Sequence, residues 1–426
     1  MPLLNLCVEL LLEIGNELPN TGQKNLRAAC QYTDYAVAPL FFSSVVLKSN
    51  DLRRESSIWG MENLASGQSG WSVHARTLEI GPGTPKPEGE PVSNISEAAL
   101  QELFTSALRS LSNVRSVVWV VTDEDPSWQR DVVSNFLRSL PLLTSLELSL
   151  ERTDDFSLPR LSGLRSLKIM NPGRLPIHLT HPDSRAIARS RGLTSLNLSG
   201  FRDCATASAQ LWSTLLEREI RLREISTTSI SADLLTYLAS YSGVEKLSMK
   251  GLGGGHYDHS NELAVTFYET VLPQHAESLV ELTCPNIHEN NWSFGAHSAG
   301  AIAKLRVLTS LDIGVNAQDV VHVGVGTNAL DLLFKTVADL PALHTIAVSA
   351  CHASPHRAAV EAAILSAMRS QRVPSRQQPY QLKLVEHDEH RPEPVVALAQ
   401  DNLSFMRIVK FFVWLCLLRF CKSVLR

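Results

Sequence analysis

One six-residue pattern recurs nine times along the chain, apolar at its first, fourth and sixth places and mostly polar between them. It reads VRSVVW from Val114, LTSLEL from Leu143, LRSLKI from Leu164, LTSLNL from Leu193, LREIST from Leu222, VEKLSM from Val244, LVELTC from Leu279, LTSLDI from Leu308 and LHTIAV from Leu343. Of the 27 places that should be apolar, 26 are, Thr227 being the exception; among the 27 intervening places only Val118, Val280 and Ala347 are. Successive starts lie 29, 21, 29, 29, 22, 35, 29 and 35 residues apart, room for one short strand and one helix per unit. Such a unit cannot bury its apolar face alone, so the strands must stack in parallel with their apolar residues turned inward. A stacked surface of this kind suits recognition of a macromolecule better than a reaction.

The expected fold is therefore α/β: an irregular leucine-rich-repeat solenoid with parallel strands inside and helices outside. The outer helices show as stripes at helical spacing, for example Leu330, Leu333, Val337 and Leu340. A weaker frame, ARTLEI from Ala75, opens the array, and PYQLKL from Pro379 closes it. In regular repeats an Asn or Cys often follows the strand to bond the turn, and only Asn316 and Cys351 stand at that place, so uneven turns are expected. This divides the chain into a helical module at 1–47, a linker at 48–73 without a repeat frame, the solenoid at 74–385, and a basic apolar tail at 386–426. Residues 81–91 hold four Pro and three Gly and read as a surface loop.

Composition excludes several classes. At 426 residues, 44% hydrophobic and 19% charged, the chain is globular rather than disordered. The first fifteen residues lack a basic region and carry Glu9 and Glu13, unlike a secretory signal. Seven cysteines without a CxxC pair suit reduced thiols, so cytoplasm or nucleus is expected. Of the net charge of −4, residues 401–426 contribute +4 and the first 400 residues −8, which disfavours nucleic acid as a general partner.

The first 47 residues form their own pattern. Leu6, Leu10, Leu11, Ile14 and Leu18 make a helical stripe, Leu26, Ala29 and Cys30 start a second after a Pro-Asn-Thr-Gly turn, and a third segment runs through Tyr35 to Pro39. Three short helices bury little apolar surface by themselves, so the module needs a partner or the solenoid to complete its core. The segment resembles an F-box of the kind that precedes leucine-rich repeats in many fungal proteins. The match lies at Leu6, Glu9, Leu10, Leu11, Ile14, Leu18, Leu26, Arg27, Cys30, Pro39, Leu40, Phe41 and Val45. The family has Pro where Cys7 stands, which removes a rigid helix start. Residues 267–282 and 290–295 also resemble stretches of fungal F-box solenoids. The resemblance implies a substrate-recognition subunit of a Skp-cullin-F-box type ubiquitin ligase. Leu6, Cys7, Leu10, Leu11, Ile14, Leu18 and Leu26 would dock on the Skp-family adaptor, with the cullin complex beyond it and a protein target on the solenoid. The alternative is a non-catalytic scaffold whose helices merely cap the array.

With apolar places inward, the third, fifth and seventh places line the concave face. They carry small hydroxyls interrupted by Lys168, Asn197, Glu224, Lys246, Lys250, Glu281 and Asp312. Such residues serve either to solvate a curved sheet or to hold a protein ligand; the second use makes these seven the candidate target surface. No enzyme, cofactor or metal site is expected. His256, Asp258 and His259, and His387, Asp388, Glu389 and His390, lack further spaced ligands and read as solvated turns. The glycines at 251–255 and 324–326 lack the Lys-Ser/Thr ending of a phosphate loop. The tail's uninterrupted apolar run, 411–418, is too short for a membrane span, although its basic residues could touch anionic lipid.

Overall fold

The computed structural model describes residues 6–82, 92–151, 156, 158–171, 186–200, 205–250, 257–285, 288–321, 328–351, 354, 356–370 and 381–384. Twelve strands form one parallel sheet in chain order: β1 (Ser44–Lys48), β2 (Thr77–Gly81), β3 (Ser116–Thr122), β4 (Ser145–Glu151), β5 (Ser166–Met170), β6 (Ser195–Ser199), β7 (Glu224–Thr227), β8 (Lys246–Met249), β9 (Glu281–Cys284), β10 (Ser310–Val315), β11 (Thr345–Ala350) and β12 (Gln381–Leu384). Every pairing sets third place against third place. The column runs Ser44, Thr77, Ser116, Ser145, Ser166, Ser195, Glu224, Lys246, Glu281, Ser310, Thr345, Gln381.

A backbone device holds that register. The carbonyl at the second place of one repeat accepts two N–H groups from the next. Arg115 O accepts from Thr144 at 2.9 Å and Ser145 at 3.0 Å, and Arg165 O accepts from Thr194 at 2.9 Å and Ser195 at 3.0 Å. The same double bond recurs from Ser43 O at β2 to Thr309 O at β11. A slip of one residue would turn each strand's apolar set outward, so the ladder and the hydrophobic pattern enforce the same answer.

The apolar places of all nine frames are buried, from Val114, Val117 and Trp119 to Leu343, Ile346 and Val348. Thr227, the one polar residue among them, is 3% exposed. Its hydroxyl donates to Ser229 O at 3.0 Å and accepts from Ser229 N at 3.1 Å, so no polar group is stranded. The core is continuous from Val45 to Ile364.

Three helices on the other side start where a side chain caps them. Ser96 accepts from Ala99 N and opens the helix Glu97–Arg109; Ser231 accepts from Leu234 N and opens Ala232–Ala239; Asn328 accepts from Leu330 N and opens Ala329–Ala338. The helix from Tyr257 to Thr266 continues through a wide π turn, Phe267–Val271, into Leu272–Gln274. His275 follows, 1% exposed. Its Nδ1 accepts from Val244 N at 3.3 Å and Nε2 donates to Leu238 O at 3.1 Å, and burial lowers its pKa to about 4. It is a neutral brace between repeats. Gly200, at φ +80°, sits where an added Cβ would lie 1.9 Å from Asn171 O, so only glycine allows this inter-repeat turn.

Two boundaries read from the sequence are corrected. Residues 44–48 belong to the sheet as β1, not to the helical module. Residues 48–73 are no linker: they contain a helical turn (Ser49–Asp51), the helix Glu55–Ala65, which packs on Glu97–Arg109, and most of the helix Gly70–His74. The frame was present as FSSVVL from Phe42, but an apolar Val46 at its fifth place, 56% exposed, disguises it.

The N-terminal module comprises α1 (Val8–Glu17), α2 (Asn20–Ala29) and α3 (Gln31–Phe41). Its own core is three residues, Leu11, Ala36 and Val37, with Leu6, Val8 and Leu26 packed against them. Completion comes from the solenoid. Phe42 meets Trp71 edge-on at 4.9 Å, Phe41 lies 6.5 Å from Trp71, and the Arg27 guanidinium sits over both phenylalanine rings at 4.5 and 4.1 Å.

Candidate functional site

Three surfaces are candidates for a binding site, and the first is the module. Leu11 is fully buried against α3, so its role is to hold the module together rather than to face an adaptor. Its neighbour Leu10 is 45% exposed, and Tyr32 and Tyr35, one helical turn apart on α3, are 38% and 75% exposed. Ile14, Leu18, Leu6 and Leu26 are half-buried and Cys7 is exposed. Cys7 caps α1 at φ −69°, a value proline itself would impose, so the missing proline leaves the helix start unchanged. Six of the twelve large apolar side chains most exposed among the described residues lie before residue 74. Tyr35 and Trp59 are the barest of all.

The second surface is the concave face. Adjacent parallel strands lie about 4.8 Å apart, so residues in one register column are in contact. Lys168 donates to Glu147 Oε1 at 2.9 Å across β5 and β4. Lys246 stands between Glu281 at 3.6 Å and Glu224 at 3.5 Å, and those carboxylates, Glu281 first, raise its pKa. The charges expected to await a partner therefore largely answer one another. Asn197 accepts from Ser199 Oγ, and Lys250 is exposed.

Asp312 differs from its neighbours. Burial pushes its carboxyl up to about 6, only partly opposed by Lys250, and its buried Oδ1 has no hydrogen-bond partner. It lies at the fifth place of β10, between Thr283 and Ala347. Neither neighbour can neutralise it, so it is the point on this face where a partner's cation or donor would gain most. The hydroxyls Ser195 and Ser310 are half-buried rather than exposed, because strands this close shade one another.

The third surface escaped the sequence altogether. Beyond the C-terminal ends of β1 to β4 lies a cleft of about 680 Å³, walled by the turn at 49–54, by Thr122 to Pro126 after β3, and by Trp128 and Gln129 in the first turn of the helix Ser127–Ser139. Asp51 Oδ2, Trp128 Nε1 and both amide atoms of Gln129 are buried without a hydrogen-bond partner. Each such group costs about 1–3 kcal/mol. No periodicity marks these residues, because they belong to loops and a helix start whose encounter depends on repeat stacking.

Of the loop histidines, His259 is exposed, 3.6 Å from Glu262, while His256 and the residues at 387–390 lie outside the described residues, as does the tail at 386–426. Among the described residues, no His, Cys, Asp and Glu cluster could hold a metal, and no helix is long and apolar enough to cross a membrane. Cys284 and Cys351 are buried free thiols, both raised in pKa by burial. Cys351 and Asn316 do bond their turn as expected: Cys351 Sγ donates to Val315 O at 3.3 Å, and Asn316 Oδ1 accepts from Asn290 N at 3.2 Å. The stretches 267–282 and 290–295 also meet, Tyr268 donating to Trp292 O at 2.8 Å.

No protein-family model matches the sequence, and no curated protein matches it. Among solved structures the chain is similar to one in the crystal structure of the Rad7 and Elc1 complex in yeast, at 13% identity and a TM-score of 0.40, over 80% of this chain and 86% of that one.

Proposed function

We propose that this chain is a non-catalytic recognition subunit of a Skp-cullin-F-box type ubiquitin ligase. In this role α1–α3 dock on a Skp-family adaptor, and the solenoid holds a protein target for transfer by other subunits, in cytoplasm or nucleus. The observation that carries the proposal is the module itself. The solenoid completes its core of Leu11, Ala36 and Val37, yet Leu10, Tyr32 and Tyr35 remain exposed. Exposed tyrosines one helical turn apart are among the usual anchors of a protein interface. Asp312 and the Lys246 column would contact the target, where charge sets specificity and encounter rate.

The junction supports a second reading, a scaffold whose helices only cap the solenoid. Phe41, Phe42 and Trp71 cover the end of the array as a cap would. Affinity purification separates the two. The wild type should recover adaptor and cullin, and the double variant Leu10→Asp/Tyr35→Asp should lose both without a lower melting temperature, since both positions are exposed. Leu11→Asp would be uninformative, because a carboxylate at a fully buried position unfolds the module. Failure of the wild type to recover adaptor, or undiminished recovery with the double variant, leaves the scaffold reading.

A further inference from the structure

We propose that the rim at the N-terminal ends of β2 to β7 binds an extended acidic segment of a partner protein, its carboxylates paired with a file of arginines. The second places of successive repeats are joined directly by their backbones. Arg115 N donates to Arg76 O at 2.8 Å, Thr144 N to Arg115 O at 2.9 Å, Arg165 N to Thr144 O at 2.7 Å, Thr194 N to Arg165 O at 2.9 Å and Arg223 N to Thr194 O at 2.8 Å. The ladder that sets the register therefore also sets a row of side chains, Arg-Arg-Thr-Arg-Thr-Arg, one per strand and about 4.8 Å apart. All four arginines are exposed, and Arg191 and Arg221, exposed in the connections leading to β6 and β7, add to the row.

On the concave face the chain answers its charges across neighbouring strands, Lys168 with Glu147 and Lys246 with Glu224 and Glu281. The rim does not. Arg76 and Arg115 stand on adjacent strands, where like charges repel. Arg76 donates only to Asn113 O, at 3.4 Å, and the guanidiniums of Arg115, Arg165, Arg191 and Arg221 have no partner among the described residues. Only Arg223, paired with Glu245, is answered. Helix dipoles explain Arg109 and Arg138, which lie in the last turns of their helices, but the second places begin strands. Each cation of the row is an arginine, whose planar fork takes a carboxylate through two N–H groups, where lysine would serve for solubility alone. Spacing narrows the partner. Arg115 and Arg165 are two strands apart, about 10 Å, as are Arg165 and Arg223, and three residues of an extended chain span about the same distance. A segment lying across the strands with an acidic residue at every third position would meet them in turn. Over the same repeats the opposite ends of the strands carry Asp123, Glu124 and Glu151, so the field steers such a segment to the rim. Single-stranded nucleic acid needs aromatic platforms, and the exposed aromatics among the described residues, Tyr32, Tyr35 and Trp59, all precede β2. The rim is separate from the concave face and from α1–α3, so the inference stands whether or not the chain joins a ligase.

The test is fluorescence anisotropy on the full chain at low salt with a fluorescein-labelled peptide, Gly-Glu-Ser-Gly-Glu-Ser-Gly-Glu-Ser-Gly, and its counterpart with every glutamate replaced by glutamine. The glutamate peptide should bind saturably and the glutamine peptide at least tenfold more weakly. Arg115→Gln/Arg165→Gln should weaken the glutamate peptide at least tenfold while leaving the melting temperature unchanged or higher. Arg115→Lys/Arg165→Lys, which keeps the charge and loses the fork, should weaken it severalfold. Lys304→Gln/Arg306→Gln, the same loss of charge at exposed positions before β10, should leave the affinity unchanged. The proposal is overturned by no saturable binding up to about 1 mM, by equal binding of the two peptides, by wild-type affinity in either variant of Arg115 and Arg165, or by an equal loss in Lys304→Gln/Arg306→Gln. An oligothymidylate of matching length that binds more tightly than the glutamate peptide would also overturn it, in favour of nucleic acid.

Discussion

Asp312 shows how much one carboxylate on a curved sheet can matter. An aspartate in an unfolded chain titrates near 4, whereas here burial holds the carboxyl at about 6. The folded state therefore keeps a proton that the unfolded state has released, and stability falls as pH rises from about 4 to about 6, the full penalty persisting above that window. Two pKa units, the attraction of Lys250 for the ionised form already included, correspond to at most about 3 kcal/mol. Asp312→Asn should accordingly raise the melting temperature at neutral pH and lose that advantage near pH 4. Equal melting curves at neutral pH would mean that the carboxylate is solvated after all. Charge of this kind was visible in the sequence, but its state was not. Nor could the sequence tell Leu10 from Leu11: adjacent leucines share the apolar arc of α1, and only the position of Ala36 and Val37 decides which one is buried.

At the scale of the repeat, strands were the most legible elements because two independent constraints coincide there. Period-two burial fixes the face, and the doubled backbone bond at each second place fixes the register. Leu196 and Leu311 are 1% and 0% exposed, so alanine at either should cost about 2–5 kcal/mol through lost transfer energy and a cavity. Ser195 and Ser310, half-buried on the opposite face, should tolerate alanine within about 0.5 kcal/mol. Thermal melts of the four variants check this, and serine changes as damaging as the leucine changes would refute the register. The turns were less legible. Asn316 and Cys351 were found because they stand at a fixed offset, whereas Gly200 reveals its role only through the carbonyl of Asn171 in the preceding repeat.

The whole molecule is quasi-one-dimensional, each repeat touching its neighbours along one core from Val45 to Ile364. What happens at its first strand therefore decides whether α1–α3 move with the array. A run read only for period could not show this, because the residues of β1 also complete the helical pattern before them. The contact is narrow: a Cβ added at Gly70 would lie 2.2 Å from the Phe42 ring, which is itself held between Trp71 and Arg27. Gly70→Ala should displace that ring at a cost of about 1–3 kcal/mol, freeing the module while the solenoid stays folded. Gly60→Ala, with nothing within 4 Å of the new methyl, should instead stabilise its helix by about 0.5–1 kcal/mol. Limited proteolysis reads the difference: Gly70→Ala should open a cleavage between α3 and β1 that the wild type and Gly60→Ala resist. If the proposed role holds, Gly70→Ala will also lower ubiquitin transfer to a bound target while adaptor recovery is unchanged, since transfer needs a fixed geometry between the docked module and the target-bearing face. Unaltered proteolysis in Gly70→Ala would mean that the aromatic cluster does not join the two parts.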